Sequence, residues 1–275
     1  MSSPAEKFQH KKSLGQHFLT SDVVPKWMCA AANLKSTDVV LEIGPGVGIL
    51  TKEILESGAK VIAIEADQRA ILQLEQEFIE EINNKKLIIF HTDVRELDLE
   101  TISDIKNQAY KVVANIPYYL SGMLLRLFLE ATNQPIDIVF LLQKEVAKRA
   151  TSSLAKGSKE SLLSLSVQAY GEGKFVKSVG RGHFVPPPAV DSGIIAIHNI
   201  NRNFFQNLDE KFFFSLLHTG FGQKRKQLLG NLAKKYDRQL LINIFSTLNM
   251  NKDVRAEDVP LKIWLELAKQ LSTHS

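Results

Sequence analysis

Short apolar runs alternate with amphipathic segments through the first half of the chain. Five runs, "DVVLEIG", "KVIAIEAD", "KLIIFHTD", "YKVVANI" and "IDIVFLLQ", are apolar at consecutive positions, as expected of strands buried on both faces of a sheet. Intervening segments such as "GILTKEILESG", ended by Gly58, and "QRAILQLEQEFIEEI" place apolar residues at helical spacing. This alternation predicts an α/β domain with a parallel sheet covered by helices on both sides.

The pattern changes toward the C-terminus. After a predicted helix, "LLSLSVQAYG", the runs "KFVKSVG" and "VDSGIIAIH" predict a closing pair of strands, one of them antiparallel, separated by the rigid stretch "FVPPPAV". From about residue 204 the patterns are helical alone, including "KRKQLLGNLAKKY", and predict a small all-helical domain. We therefore expect one domain over 1–203, with an N-terminal basic arm and cap over 1–35, and a second over 204–275.

Composition narrows the class of protein. The hydrophobic fraction of 44% and the charged fraction of 23% are ordinary for a globular protein. The sequence has no apolar run long enough for a membrane span and no apolar N-terminal signal segment, so we expect a cytoplasmic protein. The single cysteine, Cys29, excludes an internal disulfide, and the seven histidines show no metal-ligand spacing, so no metal is predicted.

Positive charge is concentrated near the C-terminus. From residue 196 onward there are 12 lysines and arginines against 7 acids, whereas the remaining residues hold 22 against 23. Such asymmetry is typical of a protein whose basic part meets phosphates. Lys224, Arg225 and Lys226 are the candidate RNA contacts, although three basic residues in succession also suit a solvated helix start.

A glycine-rich loop, "LEIGPGVGILT", follows the first strand and opens the first helix. Gly44, Gly46 and Gly48 allow the backbone to turn tightly and approach a ligand at the carboxyl ends of the strands. A dinucleotide is one candidate, but the spacing is G-x-G-x-G rather than G-x-G-x-x-G, and Pro45 removes an amide donor. A glycine turn without a ligand is the remaining alternative.

Two acids end the second and third strands. Glu65, 21 residues after Gly44, can accept hydrogen bonds from both hydroxyls of a ribose, as acids in NAD sites also do. Asp93 suits the exocyclic amine of an adenine, although an acid there can also cap a turn. A glycine loop and two acids without a basic phosphate clamp favour a nucleoside that carries no phosphate, S-adenosylmethionine.

The fourth strand ends in "NIPYY", residues 115 to 119. The side-chain oxygen of Asn115 and the carbonyl of Ile116 can accept the two hydrogens of an exocyclic amine. Pro117 fixes the backbone, and Tyr118 offers a flat face to a base pulled out of its stack. The set contains no good general base and needs none, because a nitrogen that has attacked a methyl sulfonium is cationic and loses its proton readily. The stretch is interpreted as a clamp for an amino-bearing base.

Three further stretches, "KKSLGQHFL", "FVPPPAVDSGI" and "FGQKRKQLLGNL", stand in order around these motifs. Together with "LEIGPGVGILT" and "NIPYYLSG" they make the chain, from about Lys11 to the C-terminal helices, resemble the bacterial small-subunit rRNA adenine dimethyltransferase family. The resemblance implies a Rossmann-like S-adenosylmethionine-dependent methyltransferase domain followed by a helical RNA-binding domain. It also implies methyl transfer to N6 of two adjacent adenosines in a hairpin near the 3′ end of 16S rRNA, on an immature 30S-type particle, and we expect a monomer.

The resemblance assigns roles to matching positions. Tyr118 and Phe184 would sandwich the target adenine, and Asn115 would contact both the target amine and the cofactor. The implied catalytic residues are Asn115, Ile116, Pro117, Tyr118 and Phe184. The implied cofactor contacts are His17, Leu19, Gly44, Gly46, Glu65, Asp93 and Asn115.

Departures from the family pattern and alternative functions remain. The family's usual Tyr-Gly is Ser161-Leu162 here, and a lysine often found after the prolines is Ala189, which affects RNA docking. Phe184 could be a core aromatic and His17 an ordinary loop residue.

A large-subunit rRNA methylase of the antibiotic-resistance type shares the fold and the clamp, but the full helical domain favours the small subunit. A non-catalytic RNA-binding assembly factor would show a broken clamp or glycine loop, and neither is broken.

Overall fold

Two compact units make up the part of the chain that the structure, a computed structural model, describes: residues 17–106 and 108–274. Within these residues the first unit comprises 17–148 and 172–200, and the second comprises 149–171 and 201–274. The second unit therefore includes residues 149–171, which the sequence pattern places in the first domain. The basic segment at residues 10–12 lies outside the described residues.

A seven-stranded sheet forms the centre of the first unit, in the order β4-β3-β2-β5-β6-β9-β7. Neighbours among the first five are parallel, whereas β9 is antiparallel to both β6 and β7. The predicted α/β class and the single antiparallel strand of the closing pair are confirmed. The strands, including a separate two-stranded pair of β1 and β8, are β1 (Phe18–Leu19), β2 (Val39–Ile43), β3 (Lys60–Glu65), β4 (Leu87–His91), β5 (Lys111–Asn115), β6 (Asp137–Gln143), β7 (Glu172–Val179), β8 (Phe184–Val185) and β9 (Ser192–His198).

Helices cover this sheet, and apolar side chains of both fill the core. Met28 and Ile54, on two of the helices, are fully buried together with strand residues such as Val113. Gly58, at φ +84°, terminates the second helix as predicted, and its N–H donates to the Leu55 carbonyl. The helices that begin in this unit are α1 (Val23–Ala31), α2 (Ile49–Glu56), α3 (Gln68–Glu77), α4 (Ile79–Asn83), α5 (Ser121–Glu130) and α6 (Lys144–Ala150).

The helix predicted over residues 68–82 is two helices in the structure. Phe78 leaves the helical region, with φ −116° and ψ 38°, and separates α3 from α4. Its ring packs so closely on Gly48 that a Cβ there would lie 2.6 Å from Phe78 Cε2. A contact between residues 30 positions apart therefore breaks a helix that the local apolar spacing would continue.

The second unit is helical in its C-terminal part, as predicted. Of the helix predicted over residues 224–236, however, only Leu228–Leu232 forms, and the basic segment before it lies in exposed turns. The buried amide of Asn231 explains this, because it donates to the carbonyls of Gly220 and Gln223 and holds that chain in a turn. The helices are α7 (Leu162–Tyr170), α8 (Glu210–Gly220), α9 (Leu228–Leu232), α10 (Arg238–Thr247) and α11 (Leu261–Ser272).

Residues 149–171 are joined to the C-terminal helical region by hydrogen bonds and ion pairs. The Glu160 N–H donates to the Glu257 carbonyl at 2.9 Å, and Lys159 pairs with Glu257 and Asp258. The Glu160 carboxylate, 4% exposed, accepts from Ser164 and Gln168. These long-range contacts leave no local pattern in the sequence. Among the described residues no helix combines the length and the apolar character that crossing a bilayer needs.

Candidate active site

The order of the strands reverses between β2 and β5. Their ladder pairs Val40 with Lys111 and Leu41 with Val112, and both strands continue beyond it. At such a switch point the carboxyl ends of the strands separate and leave a crevice for a ligand. A cleft of about 860 Å³, including its open mouth, lies here. All the predicted cofactor and catalytic residues line it except Leu19.

The glycine loop forms one wall of the cleft. Gly44 has φ +67°, and a Cβ built on it would meet no atom within 4 Å, so the space in front of it is open to a ligand. Gly46 has φ +57°, and a Cβ there would lie 2.5 Å from the ring of Phe18. Both glycines adopt a conformation that side chains disfavour. The open face of Gly44 fits a cofactor whose atoms approach the backbone.

Leu19 is the one predicted cofactor residue that does not line the cleft. Leu19, expected to touch the cofactor, is buried in the core opposite Phe184, its partner in the β1–β8 pair. The contact of Leu19 with the cofactor stays a prediction. Phe18, which sequence reasoning did not select, lines the cleft.

Glu65 is held firmly at the end of β3. It is 6% exposed, and its Oε1 accepts the N–H groups of Ala66 and Asp67, both at 2.8 Å. Its Oε2 accepts the N–H of Gly46 at 3.1 Å. Burial raises the pKa of Glu65, while these backbone donors oppose the rise. A carboxylate has about four acceptor positions, so this one keeps room for a further donor such as a ribose hydroxyl, and its contact with both hydroxyls stays a prediction.

Asp93 caps the short turn that follows β4. It accepts the backbone N–H of Arg95 at 2.9 Å and the Arg95 guanidinium at 2.6 Å. This hydrogen-bonded ion pair holds the pKa of Asp93 below its ordinary range. The turn-cap alternative therefore describes what Asp93 does in this structure. Its contact with a cofactor adenine stays a prediction, and it requires the carboxylate to be shared with Arg95 or released by it.

Asn115 has a fixed orientation at the end of β5. Its Nδ2 donates to the carbonyl oxygen of His17 at 3.1 Å. With the amide nitrogen used in this way, the side-chain oxygen is left as an acceptor. The next residues, Ile116 and Pro117, also line the cleft, and Pro117 leads into a turn over Tyr118–Leu120. The sequence motif therefore presents acceptor groups beside the glycine loop, as the clamp interpretation requires.

Tyr118 is held by contacts on both of its sides. Its hydroxyl lies 2.7 Å from the hydroxyl of Ser192, and burial raises the pKa of Tyr118. The imidazole of His17 lies 5.7 Å from the Tyr118 ring, tilted by 30°, and its Nδ1 is 2.8 Å from the Pro186 carbonyl oxygen. His17 is therefore a structured wall of the cleft rather than an ordinary loop residue.

Phe184 combines the two roles between which the sequence could not decide. It is 3% exposed and belongs to the apolar core, yet it lines the cleft. Its stacking on a target base stays a prediction and requires more of the ring to face the cleft. Tyr119, by contrast, is 61% exposed at the same cleft and was given no role by sequence reasoning. Its place in the "NIPYY" motif was the available signal.

Lys224, Arg225 and Lys226, in the second unit, are exposed. The structure records no ion pair for them with any acid in residues 17–106 and 108–274. Unpaired cations in a turn are suited to phosphate groups, so their RNA contact remains a prediction.

Comparison with known proteins places this cleft in a family. The model of the family described as "Ribosomal RNA adenine dimethylase" matches residues 7–273. The chain belongs to that family. It is accordingly an rRNA adenine methyltransferase that uses S-adenosylmethionine as the methyl donor. The predicted family, enzyme class and cofactor are confirmed.

Individual relatives and solved structures agree with this assignment. The chain is 39% identical, over 94% of its length and 87% of the relative's, to "Ribosomal RNA small subunit methyltransferase A" of Dehalococcoides mccartyi. It is similar in fold to a dimethyladenosine transferase from Plasmodium falciparum, with a TM-score of 0.78 and 24% identity over 94% of this chain and 98% of that one. The 23S rRNA methyltransferase ErmE shares the fold at a TM-score of 0.73, with 22% identity over 93% of this chain and 99% of that one.

Proposed function

We propose that this enzyme dimethylates N6 of two adjacent adenosines in a hairpin near the 3′ end of small-subunit rRNA, on an immature subunit. The observation that carries the proposal is the Asn115 amide, whose nitrogen is engaged by the His17 carbonyl while its oxygen is left to accept an amine. The name of the 39% identical relative supports the small subunit as the substrate. ErmE, named for 23S rRNA, is 22% identical and supports the shared fold alone.

S-adenosylmethionine supplies an electrophilic methyl group when it is bound. The residues of this chain bind and orient: Gly44 allows close approach, Glu65 offers an acceptor position to a ribose hydroxyl, and Asp93 is placed for an adenine amine. On the substrate side, Asn115 Oδ1 and the Ile116 carbonyl accept the two N6 hydrogens and orient the nitrogen. Such alignment contributes most of the rate enhancement.

A general base is not required by this arrangement. The two carboxylates that line the cleft already have hydrogen-bond donors. Glu65 accepts backbone N–H groups, and Asp93 accepts the guanidinium of Arg95. The methylated nitrogen is cationic and loses its proton to water unaided. Tyr118, fixed through Ser192, supplies the flat face on which the extruded base lies, and Phe184 stacks on the other side of that base once more of its ring faces the cleft.

Further features complete the proposal. Lys224, Arg225 and Lys226 contact rRNA phosphates, and the enzyme acts as a monomer in the cytoplasm on a 30S-type particle. Methylation of large-subunit rRNA, as in the antibiotic-resistance methylases, is the alternative, and the fold shared with ErmE carries no argument for it.

The test is methylation of purified subunits. Labelled S-adenosylmethionine is incubated with the enzyme and small subunits that lack the modification, and the rRNA nucleosides are mapped by mass spectrometry. We expect dimethyladenosine at two adjacent positions near the 3′ end. No label at adenine N6, while an active relative labels the same particles, would overturn the proposal. Large subunits are incubated in parallel, and label on these alone would establish large-subunit methylation instead.

A further inference from the structure

Strand β7, at one edge of the sheet, and the turn after it carry three cations without a carboxylate partner among the described residues. Lys174, Lys177 and Arg181 are all exposed, and Glu172 is the one acid in the sequence from 172 to 183. Other cations of the same unit are paired: Lys60 with Asp104, Arg69 with Asp67 and Lys111 with Asp38. Arg181 contacts a main-chain carbonyl, that of Ala189, at 3.5 Å.

A β-bulge and an indole ring set the position of Lys177. The register of β7 against β9 shifts between Phe175 and Lys177, so Val176 has no partner on β9. A bulge of this kind changes the direction of the side chains around it. The ammonium of Lys177 lies 3.8 Å from the centre of the Trp27 ring, where the ring quadrupole stabilises it. The charge is therefore held in one place on the surface.

This charge is connected to the wall of the cleft by a short chain of contacts. The Trp27 ring meets the His183 ring edge-on at 6.1 Å. The His183 carbonyl accepts the N–H of Thr20 at 3.0 Å, and the next residue, Phe184, lines the cleft. Helix α1, the turn before β8 and the cleft wall are thus joined, with Lys177 at the outer end.

We propose that Lys174, Lys177 and Arg181 bind phosphates of the rRNA strand that flanks the target nucleotide, with Lys177 as the fixed contact. The inference rests on the proposed function, because it requires an RNA strand at the mouth of the cleft. Phosphates match a row of cations that no protein carboxylate neutralises in the described residues. Lysines on edge strands also prevent sheets from pairing edge to edge. That role does not require Lys177 to be held over Trp27, and it predicts no effect on RNA binding.

The test compares two charge reversals of equal size. Lys177→Glu is matched with Lys35→Glu, since Lys35 is an exposed lysine before the amino-terminal end of β2, whereas the cleft lies at the carboxyl ends of the strands. The dissociation constant for protein-free small-subunit rRNA is measured over a range of salt concentrations, with the affinity for S-adenosylmethionine as a check on the fold. Lys177→Glu weakens RNA binding about tenfold at about 0.1 M salt. It also makes the slope of log affinity against log salt concentration shallower by about one, whereas Lys35→Glu changes neither quantity. Lys177→Arg retains most of the affinity.

Several results would overturn the inference. One is RNA binding by Lys177→Glu equal to that of Lys35→Glu. Another is a loss seen with assembled particles but not with protein-free rRNA, because the surface would then meet a ribosomal protein. If Lys177→Glu disturbs cofactor binding, the same RNA-binding measurement is made on Arg181→Glu, which is expected to lose as much RNA affinity. If the unaltered enzyme binds this rRNA but leaves unmodified small subunits unmethylated, the proposed function fails, while the phosphate contact is still decided by the dissociation constants.

Discussion

The hydroxyl of Tyr118 lies 2.7 Å from the hydroxyl of Ser192 and ties the clamp to β9. Ser192 is fully buried, and it pairs with Gln143 of β6 and Val179 of β7 in the ladder. The far end of the Tyr118 ring is therefore fixed by the sheet, while Pro117 fixes the backbone on the near side. A ring held at both ends presents its face to a base with little loss of freedom on binding.

Replacement of Ser192 by alanine should weaken this hold without touching the cofactor. A lost hydrogen bond of about 1 kcal/mol lowers kcat/KM for the RNA substrate about fivefold. Tyr118→Phe should give a similar loss, and the double variant no more than either single one, because both remove the same contact. Steady-state kinetics and calorimetric cofactor binding are the measurements. Independent, additive losses would show that the contact does not position the ring.

Alanine at Gly44 and at Gly46 should have different effects. At Gly44 a methyl group meets no protein atom, so backbone strain lowers the stability of the fold by only about 1 kcal/mol, while the methyl enters the ligand space. At Gly46 the methyl also collides with Phe18, and the loss of stability is larger, about 2 to 4 kcal/mol. Urea unfolding and cofactor titration separate the two. Equal destabilisation by the two variants would contradict the assigned contacts.

Glu42, beside the glycine loop on β2, makes stability depend on pH. It is 1% exposed, and burial, assisted by the charge of Glu65, raises the pKa of Glu42 from 4.5 to about 8. At a pH between these two pKa values, Glu42 keeps its proton in the folded protein and loses it in the unfolded chain. The free energy of unfolding therefore falls as pH rises through this window, by up to about 1.4 kcal/mol per pH unit from this group.

Glu42→Gln removes that titration. We expect the variant to gain stability relative to the unaltered enzyme as the pH rises from about 5 to about 8, and the difference to level off above. Urea unfolding at several pH values in this range measures it. Parallel stability curves would mean that Glu42 is ionised in the folded protein.

Removal of the Arg95 side chain should tighten cofactor binding. Arg95 now occupies the carboxylate of Asp93, which is expected to accept the cofactor adenine. The pair is exposed on the arginine side, so breaking it releases at most about 1 kcal/mol, or about fivefold in affinity. Calorimetry of Arg95→Ala against Arg126→Ala, another arginine in an exposed ion pair, provides the comparison. Weaker cofactor binding by Arg95→Ala would show that Arg95 supports the site instead of competing for it.

The sequence predicted those features of the fold and the site that depend on local residue patterns and on where the strands end. Apolar runs located the parallel strands, and Gly44, Glu65 and Asn115 lie at the carboxyl ends of three of them, so the sheet brings these residues together. The reversal of strand order between β2 and β5 then opens the cleft there. Because strand ends meet in any parallel sheet, such a constellation can be inferred without coordinates.

The features that sequence analysis missed depend on distant contacts. Phe78 breaks a helix because it packs on Gly48, and Ser192 matters because Tyr118, 74 positions away, reaches it. Phe18 lines the cleft, and the motif gave no sign of it, whereas the contact of Leu19 with the cofactor stays a prediction. Asp93 carries a partner, Arg95, that an acid at a strand end does not reveal.

The most direct test of the account is single-turnover methyl transfer by Asn115→Ala with both substrates saturating. If the Asn115 oxygen aligns the adenine amine, the rate of the chemical step falls about 100-fold, while RNA affinity changes little. Asn115 is also a predicted cofactor contact, so saturation is checked by raising the cofactor concentration. A transfer rate close to that of the unaltered enzyme would contradict the claim that this amide holds the nucleophile.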